Sequence, residues 1–218
     1  MKKTTQFLPL ATIAGLALAL ASAQAATVIV PGNHSFEDVG TLQTAGKWYD
    51  LPTSPDPVHW VTTTSNFQIR IAQGSEFDNA NVDGNNVFNL GASSLMTQDL
   101  GHTVSVGDKV SMIFEIGNSQ KGVDSPGADV TYSFRISGTQ RFSLAVDNTA
   151  GDGEFVDYVT AEWTATHAGS LGIGFDGGSG AWIDNVSNVS VTAVPEPSTT
   201  ALLGLGGLAL ILRRRRRK

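Results

Sequence analysis

The chain is predicted to be all-β, an antiparallel β-sandwich. Outside the two ends no stretch carries a helical period. Short runs of alternating apolar and polar residues recur instead, with Gly, Asn, Asp and Ser gathered between them. Many short strands divided by turn residues, without helices, build two packed sheets.

The strands can be taken in order. Phe67–Ala72, Val87–Leu90 and Met96–Leu100 are short candidates. Val110, Met112, Phe114 and Ile116 share one face of the next. Val130, Tyr132, Phe134 and Ile136 alternate with Thr131, Ser133, Arg135 and Ser137, and a Ser137-Gly138 turn leads into Phe142, Leu144 and Val146, which predicts a hairpin. Phe155–Thr166 reads as one long strand with Val159, Ala161 and Trp163 on one face. Leu171, Ile173 and Phe175 alternate with glycines and Asp176. Trp182–Val191 is the last strand, and its apolar parity slips between Val186 and Val189, which predicts a bulge. Lys47–Pro57 and Gly117–Ala128 read as loops.

Both ends are targeting segments. Lys2 and Lys3, the apolar run Phe7–Leu20 and the small-residue site Ala23-Gln24-Ala25 make residues 1–25 a secretory signal peptide, cleaved after Ala25 and handled by the secretion translocon. At the other end Val194-Pro195-Glu196-Pro197-Ser198 precedes the apolar run Ala201–Leu212, and Arg213–Arg217 with Lys218 follow. The prolines favour an extended, accessible motif. The 12 apolar residues make a helix about 18 Å long, short for a bilayer core of about 30 Å. Thr199, Thr200 and the arginine stems lengthen it towards a transmembrane helix, and the six cations keep its end in the cytoplasm.

This tripartite tail resembles the PEP-CTERM sorting signal, whose motif here is Pro195, Glu196 and Pro197. The resemblance implies recognition by exosortase, a membrane protease-transpeptidase. It implies an inner-membrane intermediate, delivery to the cell surface or the extracellular space, and a producer that makes exopolysaccharide.

Residues 26–194 remain as one domain. They hold 19 of the 20 acidic residues and six of the 14 Lys and Arg, a net charge of −13. That balance argues against nucleic-acid binding, which needs basic patches. The absence of cysteine excludes disulfides, thiolate metal sites, cysteine nucleophiles and a lipoprotein anchor.

Two motifs carry a second resemblance. Asn33-His34-Ser35-Phe36-Glu37 is similar to the opening of galactose-binding-like jelly rolls, the fold of many carbohydrate-binding modules. Ala181-Trp182-Ile183-Asp184-Asn185-Val186 is similar to the closing strand of that fold, and Asn86–Gly91 and Val106–Val110 stand where its strand edges do. In that fold the first and last strands meet, and the resemblance implies a structural calcium shared by Glu37 and Asp184 with backbone carbonyls. The alternative is that both are turn or strand-edge carboxylates.

No catalytic signature stands out. There is no Gly-x-Ser-x-Gly, no His-Glu-x-x-His and no phosphate-cradling loop. His34, His59, His102 and His167 are far apart, each in a loop-like setting, and read as surface residues. Asn79–Gly84 has the look of a calcium loop but lacks the Glu at its twelfth position, where Leu90 stands. Trp48, Tyr49 and Trp60 sit in or beside loops and are candidate sugar-stacking rings, while Trp163 and Trp182 lie within strands and read as core. The expected function is that of a non-catalytic, exopolysaccharide-associated surface protein that binds carbohydrate. A secreted glycan-active hydrolase using surface carboxylates and a ligand-free matrix protein are the alternatives. Mass spectrometry of the exported protein should show a chain starting at Ala26, and an intact Met1 start would contradict the signal-peptide reading.

Overall fold

The computed structural model describes residues 25–37, 48–50, 59–62, 67–71, 77, 83–84, 86–90, 94–118, 128–177 and 181–194. Thirteen strands appear among them: β1 (Thr27–Ile29), β2 (Trp48–Asp50), β3 (Val61–Thr62), β4 (Phe67–Ile71), β5 (Asn86–Leu90), β6 (Ser94–Val104) and β7 (Lys109–Gly117), then β8 (Val130–Ile136), β9 (Thr139–Val146), β10 (Phe155–Val159), β11 (Trp163–Thr164), β12 (Gly169–Gly177) and β13 (Ala181–Thr192). No helix occurs among the described residues. The apolar tail expected to be helical, and the signal peptide up to residue 24, lie outside them.

The strands form two antiparallel sheets. One has the order β10-β7-β13-β5-β4-β2, with β1 lying along β13 and β11 along β7. The other is β3-β6-β12-β8-β9. On β7 and β8 alternation decides which side is buried, whereas β5 is buried on both. On β7, Val110, Met112, Phe114 and Ile116 turn inward, and on β8 Val130, Tyr132, Phe134 and Ile136 do the same from the facing sheet. The two sheets thus bury matching apolar faces, the arrangement that stacks them about 10 Å apart.

A line of aromatic rings runs through the core. Phe88 meets Phe36 at 5.2 Å and Phe36 meets Trp60 at 5.5 Å. Trp60 meets Phe175 at 6.2 Å, and Phe175 stands edge-on to Phe114 at 5.0 Å. Phe114 leads through Tyr132 to Phe134, which stacks on Trp163 at 5.6 Å. Such pairs add about 0.5–1.5 kcal/mol each beyond the burial of their area. A smaller cluster of Phe77, Val87, Phe155 and Trp182 lies apart from this line, with Phe77 edge-on to Trp182 at 5.1 Å.

Residues Ala26–Ala193 form one compact unit. A second comprises Met1–Ala25 with Val194–Lys218, of which only Ala25 and Val194 are described.

The expected hairpin is present. β8 and β9 pair across Ser137 and Gly138, whose φ angles of 48° and 78° suit a tight primed turn. The bulge on the last strand is also present and is doubled. Register shifts fall between Asp184 and Ser187 and between Ser187 and Ser190, at the left-handed Asn185 and Asn188. Two extra residues keep Ile183, Val186, Val189 and Val191 all buried, although a regular strand would turn some of them outward.

Two expectations need correction. Phe155–Thr166 is not one strand. The ladder along β7 breaks after Val159, where the Thr160 hydroxyl accepts from the Met112 amide at 2.9 Å and the Thr160 N–H donates to the Met112 carbonyl at 3.0 Å. Thr160 is therefore buried and Val159 exposed, and Val159, Ala161 and Trp163 do not share a buried face. Lys47–Pro57 is not wholly loop either, because Trp48–Asp50 pairs with β4 as an edge strand.

Gly177, at the end of β12, marks a close approach of the sheets. A Cβ there would collide with the Leu90 side chain and lie 2.8 Å from the Leu90 carbonyl oxygen. Gly177→Ala should destabilise the protein by about 1–3 kcal/mol. In a domain of this size that lowers Tm by roughly 2–4 °C per kcal/mol. Calorimetry showing an unchanged Tm would mean the sheets can separate there at no cost.

Candidate functional site

Asp184, on β13, is 0 % exposed. Its carboxyl is filled by backbone donors: Oδ1 accepts from the Asn185 N–H at 2.8 Å and Oδ2 from the Asp83 N–H at 2.9 Å. Glu37, just past the buried Phe36, accepts the Asn86 N–H on Oε1 at 2.7 Å, and the Asn86 side-chain amide donates to the Phe36 carbonyl at 3.2 Å. Asp83 and Asn86 flank one short connection into β5. Glu37 from the start of the body and Asp184 from its last strand therefore hold that connection from both ends. The Val186 N–H also donates to the His34 carbonyl at 2.8 Å, which ties the opening segment to the closing strand.

The clasp is acidic. Glu115 and Asp184 are cross-strand partners on β7 and β13, and Asp157 on β10 is the next partner in the same row. Cross-strand partners share a face, so like charges oppose each other directly. Asn185 relieves part of this by donating from its side chain to Glu115 Oε1 at 3.0 Å. Burial raises the Glu115 carboxyl above its ordinary value, and Asp157 and Asp83 add to the shift. Burial pushes Asp184 up to about 8, against the two amide bonds that favour its ionised form, with Glu115 and Asp83 adding to the rise. His34 faces the same place, with Nε2 3.8 Å from Asp83 Oδ2.

Sequence reasoning singled out Glu37 and Asp184, and the structure places both on one connection, as acceptors of backbone N–H groups. It missed Glu115, Asn185 and Asn86. Glu115 alternates with apolar neighbours and reads as an ordinary outward residue of β7. A calcium ion would call for about 6–8 oxygens. Glu37 and Asp184 fit that role in donor type, since both offer carboxylate oxygens, and an ion there would have to displace the proton that burial favours on Asp184. No group of three His, Cys, Asp or Glu suited to a metal occurs among the described residues, so carbonyls would have to complete the set.

The proposed sugar-stacking residues separate. Trp60 is a correction: it is 2 % exposed, its Nε1 donates to the Asn33 carbonyl at 3.1 Å, and its ring is part of the core line. It offers no platform. Trp48 and Tyr49 stand on β2, the edge of the larger sheet, opposite Arg70 and Ile69. Trp163 and Trp182 are buried, as expected for core. Of the histidines, His59 and His167 are exposed, His34 is partly so, and His102 lies within β6 rather than in a loop. Ala23, Pro195, Glu196, Pro197 and most of the Asn79–Gly84 segment lie outside the described residues.

The outer face of the smaller sheet is a second candidate surface. Val61, Thr97, Gly174, Ser133 and Ser143 form one row across all five strands, and Asp99, Gly172, Arg135 and Gln140 form the next across four. Gly172, Gly174 and Ser133 at the centre of these rows are buried, with the exposed Asp99 on one flank and the half-buried Arg135 on the other. The Arg135 guanidinium donates to the Gly138 carbonyl at 2.6 Å.

The Asp184 shift predicts a pH effect. Its folded-state pKa lies above the unfolded value of 3.8, so the folded protein holds its proton more tightly. That contribution is full below pH ~4 and fades as pH rises to about 8. Asp184→Asn should be less stable overall by about 1–3 kcal/mol, because its amide sets a donor against one N–H. Across the same window the variant should lose less stability than wild type. Parallel pH profiles from denaturant melts would show that Asp184 does not titrate there.

Residues 193–217 match the PEP-CTERM protein-sorting motif. No curated protein matches the chain. Among solved structures, the apo form of a cyclase from Fischerella sp. superposes with a TM-score of 0.59 at 20% identity, covering 78% of this chain and 98% of that one. A Stig cyclase from Fischerella sp. TAU, in complex with (3Z)-3-(1-methyl-2-pyrrolidinylidene)-3H-indole, gives 0.59 at 17% identity, covering 78% and 100%. The CBM22-1–CBM22-2 tandem domain from Paenibacillus barcinonensis gives 0.51 at 14% identity, covering 82% of this chain and 49% of that one. At such identities the likeness is one of fold alone, a sandwich of the kind seen in carbohydrate-binding modules. The chain is an exported protein: a β-sandwich body followed by a PEP-CTERM sorting motif, which implies processing by exosortase at the membrane and delivery to the cell surface or beyond.

Proposed function

We propose that this is a non-catalytic surface protein that binds the exopolysaccharide of the cell that makes it. The observation that carries the reading is the union of the sorting motif at residues 193–217 with a sandwich body similar in fold to the CBM22 tandem domain. The motif delivers the body to where polysaccharide is made, and the fold is similar to that of a carbohydrate-binding module.

The binding surface in this reading is the β2 edge with Trp48 and Tyr49, where aromatic faces stack on the apolar faces of sugars. Asp50, on the same strand, supplies a hydroxyl acceptor. Single sites of this kind bind in the micromolar to millimolar range, about −4 to −8 kcal/mol. Calorimetry on residues 26–194 with the organism's own polysaccharide should show such binding, and Trp48→Ala should weaken it about tenfold, or 1.4 kcal/mol. Circular dichroism controls for folding. Wild type without binding would leave a ligand-free matrix protein. Binding untouched by Trp48→Ala but lost in Arg135→Ala would move the site to the outer face of the smaller sheet.

Calcium belongs to the same proposal, as a structural ion bridging Glu37 and Asp184. A body of charge −13 gains from a bound divalent cation. At a hundred times its Kd, calcium bound only to the folded form adds about 2.7 kcal/mol. Melts in calcium and in chelator should differ by several degrees for wild type and coincide for Asp184→Ala, whereas equal wild-type melts would remove the ion from the account.

A further inference from the structure

The sorting motif and the closing strand share a border. β13 ends at Thr192, and the motif begins at residue 193. Thr192 is still paired, opposite Lys109. Val191 is paired on both sides, with Val110 on β7 and Thr27 on β1, and is only 4% exposed. Ala193 and Val194 alone separate this ladder from Pro195, a reach of about 7 Å for two extended residues.

A peptidase that grips its substrate as an extended strand uses the backbone groups of several residues on both sides of the motif. On the N-terminal side those of Thr192 and the residues before it are already engaged in the sheet. They become available only when the end of the ladder opens. That end is also its weakest part. β1 has three residues, Thr27 and Val28 on it are exposed, and the mature chain is expected to start one residue before it. Short terminal strands fray at far lower cost than core strands.

We propose that the folded body gates its own sorting. Exosortase reads Pro195-Glu196-Pro197 only while the pairing of β1, Thr27–Ile29, with Val189–Val191 of β13 is open. A newly exported chain whose β1 is unpaired is processed quickly, and a folded one slowly. β1 thus acts as a latch on a motif more than 160 residues away in the sequence.

Two variants of the full chain test this in the producing organism, by pulse-labelling and following release of the membrane-held precursor. One inserts a Gly/Ser spacer of about ten residues between Ala193 and Val194, which adds roughly 17 Å of reach. The other is Val28→Cys with Ser190→Cys, register partners on β1 and β13. The chain has no cysteine of its own, so an oxidising export compartment makes this one lock and a thiol reductant opens it. The spacer should speed release about fivefold and the lock should slow it by about as much. Reductant should restore the locked form and leave wild type unchanged. Spacer and lock combined should match the spacer alone. A spacer variant released at the wild-type rate, with its body resistant to protease, would overturn the gate. So would a lock shown closed by gel mobility that leaves the rate unchanged.

Discussion

The body closes around its last strand. β13 pairs with β7 on one side and with β5 and β1 on the other, so the larger sheet is three pieces until β13 is in place: β10, β7 and β11; β5, β4 and β2; and β1. The Asp184 clasp, the opening segment at His34 and the buried row Ile183, Val186, Val189 and Val191 all depend on that insertion. Pairing strands so far apart in sequence costs loop entropy before any contact rewards it, which makes this a late step of folding. In an exported chain it comes after nearly the whole body has crossed the membrane. The next residues to follow belong to the sorting motif. Folding and sorting therefore meet at one place in the chain.

The acidic clasp shows how the fold tolerates charge. Three carboxylates in one row across β10, β7 and β13 would repel if all were ionised. Burial lifts Asp184 and Glu115, backbone amides hold both oxygens of Asp184, and the Asn185 side chain donates to one oxygen of Glu115. The left-handed bulge at Asn185 makes this possible, because it turns the Asn185 amide and side chain onto the two acids beside it.

Much of the architecture was legible in the sequence because it rests on period-two alternation, and alternation is local. β7, β8 and β12 read directly from Val110–Ile116, Val130–Ile136 and Leu171–Phe175. The lost parity before Val189 announced a bulge. What escaped depends on contacts between distant residues. Thr160 interrupts a strand by bonding Met112 from another strand, and nothing near Thr160 signals it. Trp60 sits among polar and loop residues, yet Phe36 and Phe175 take its ring and the Asn33 carbonyl takes its N–H. Trp48–Asp50 is a strand only because β4 runs beside it. In the clasp, Glu37 and Asp184 stood out through the opening and closing motifs, whereas Asn86 and Glu115 matter only through partners 49 to 70 residues away, and the Asn185 side chain through Glu115, 70 residues away.

The most direct test of the account is the fate of the full chain when Glu196 is replaced by alanine. Wild type should appear outside the cell or on its surface, shortened at the C-terminus. Glu196→Ala should remain in the inner membrane at full length, its body folded. Release of the variant in processed form, at the wild-type level, would contradict the account.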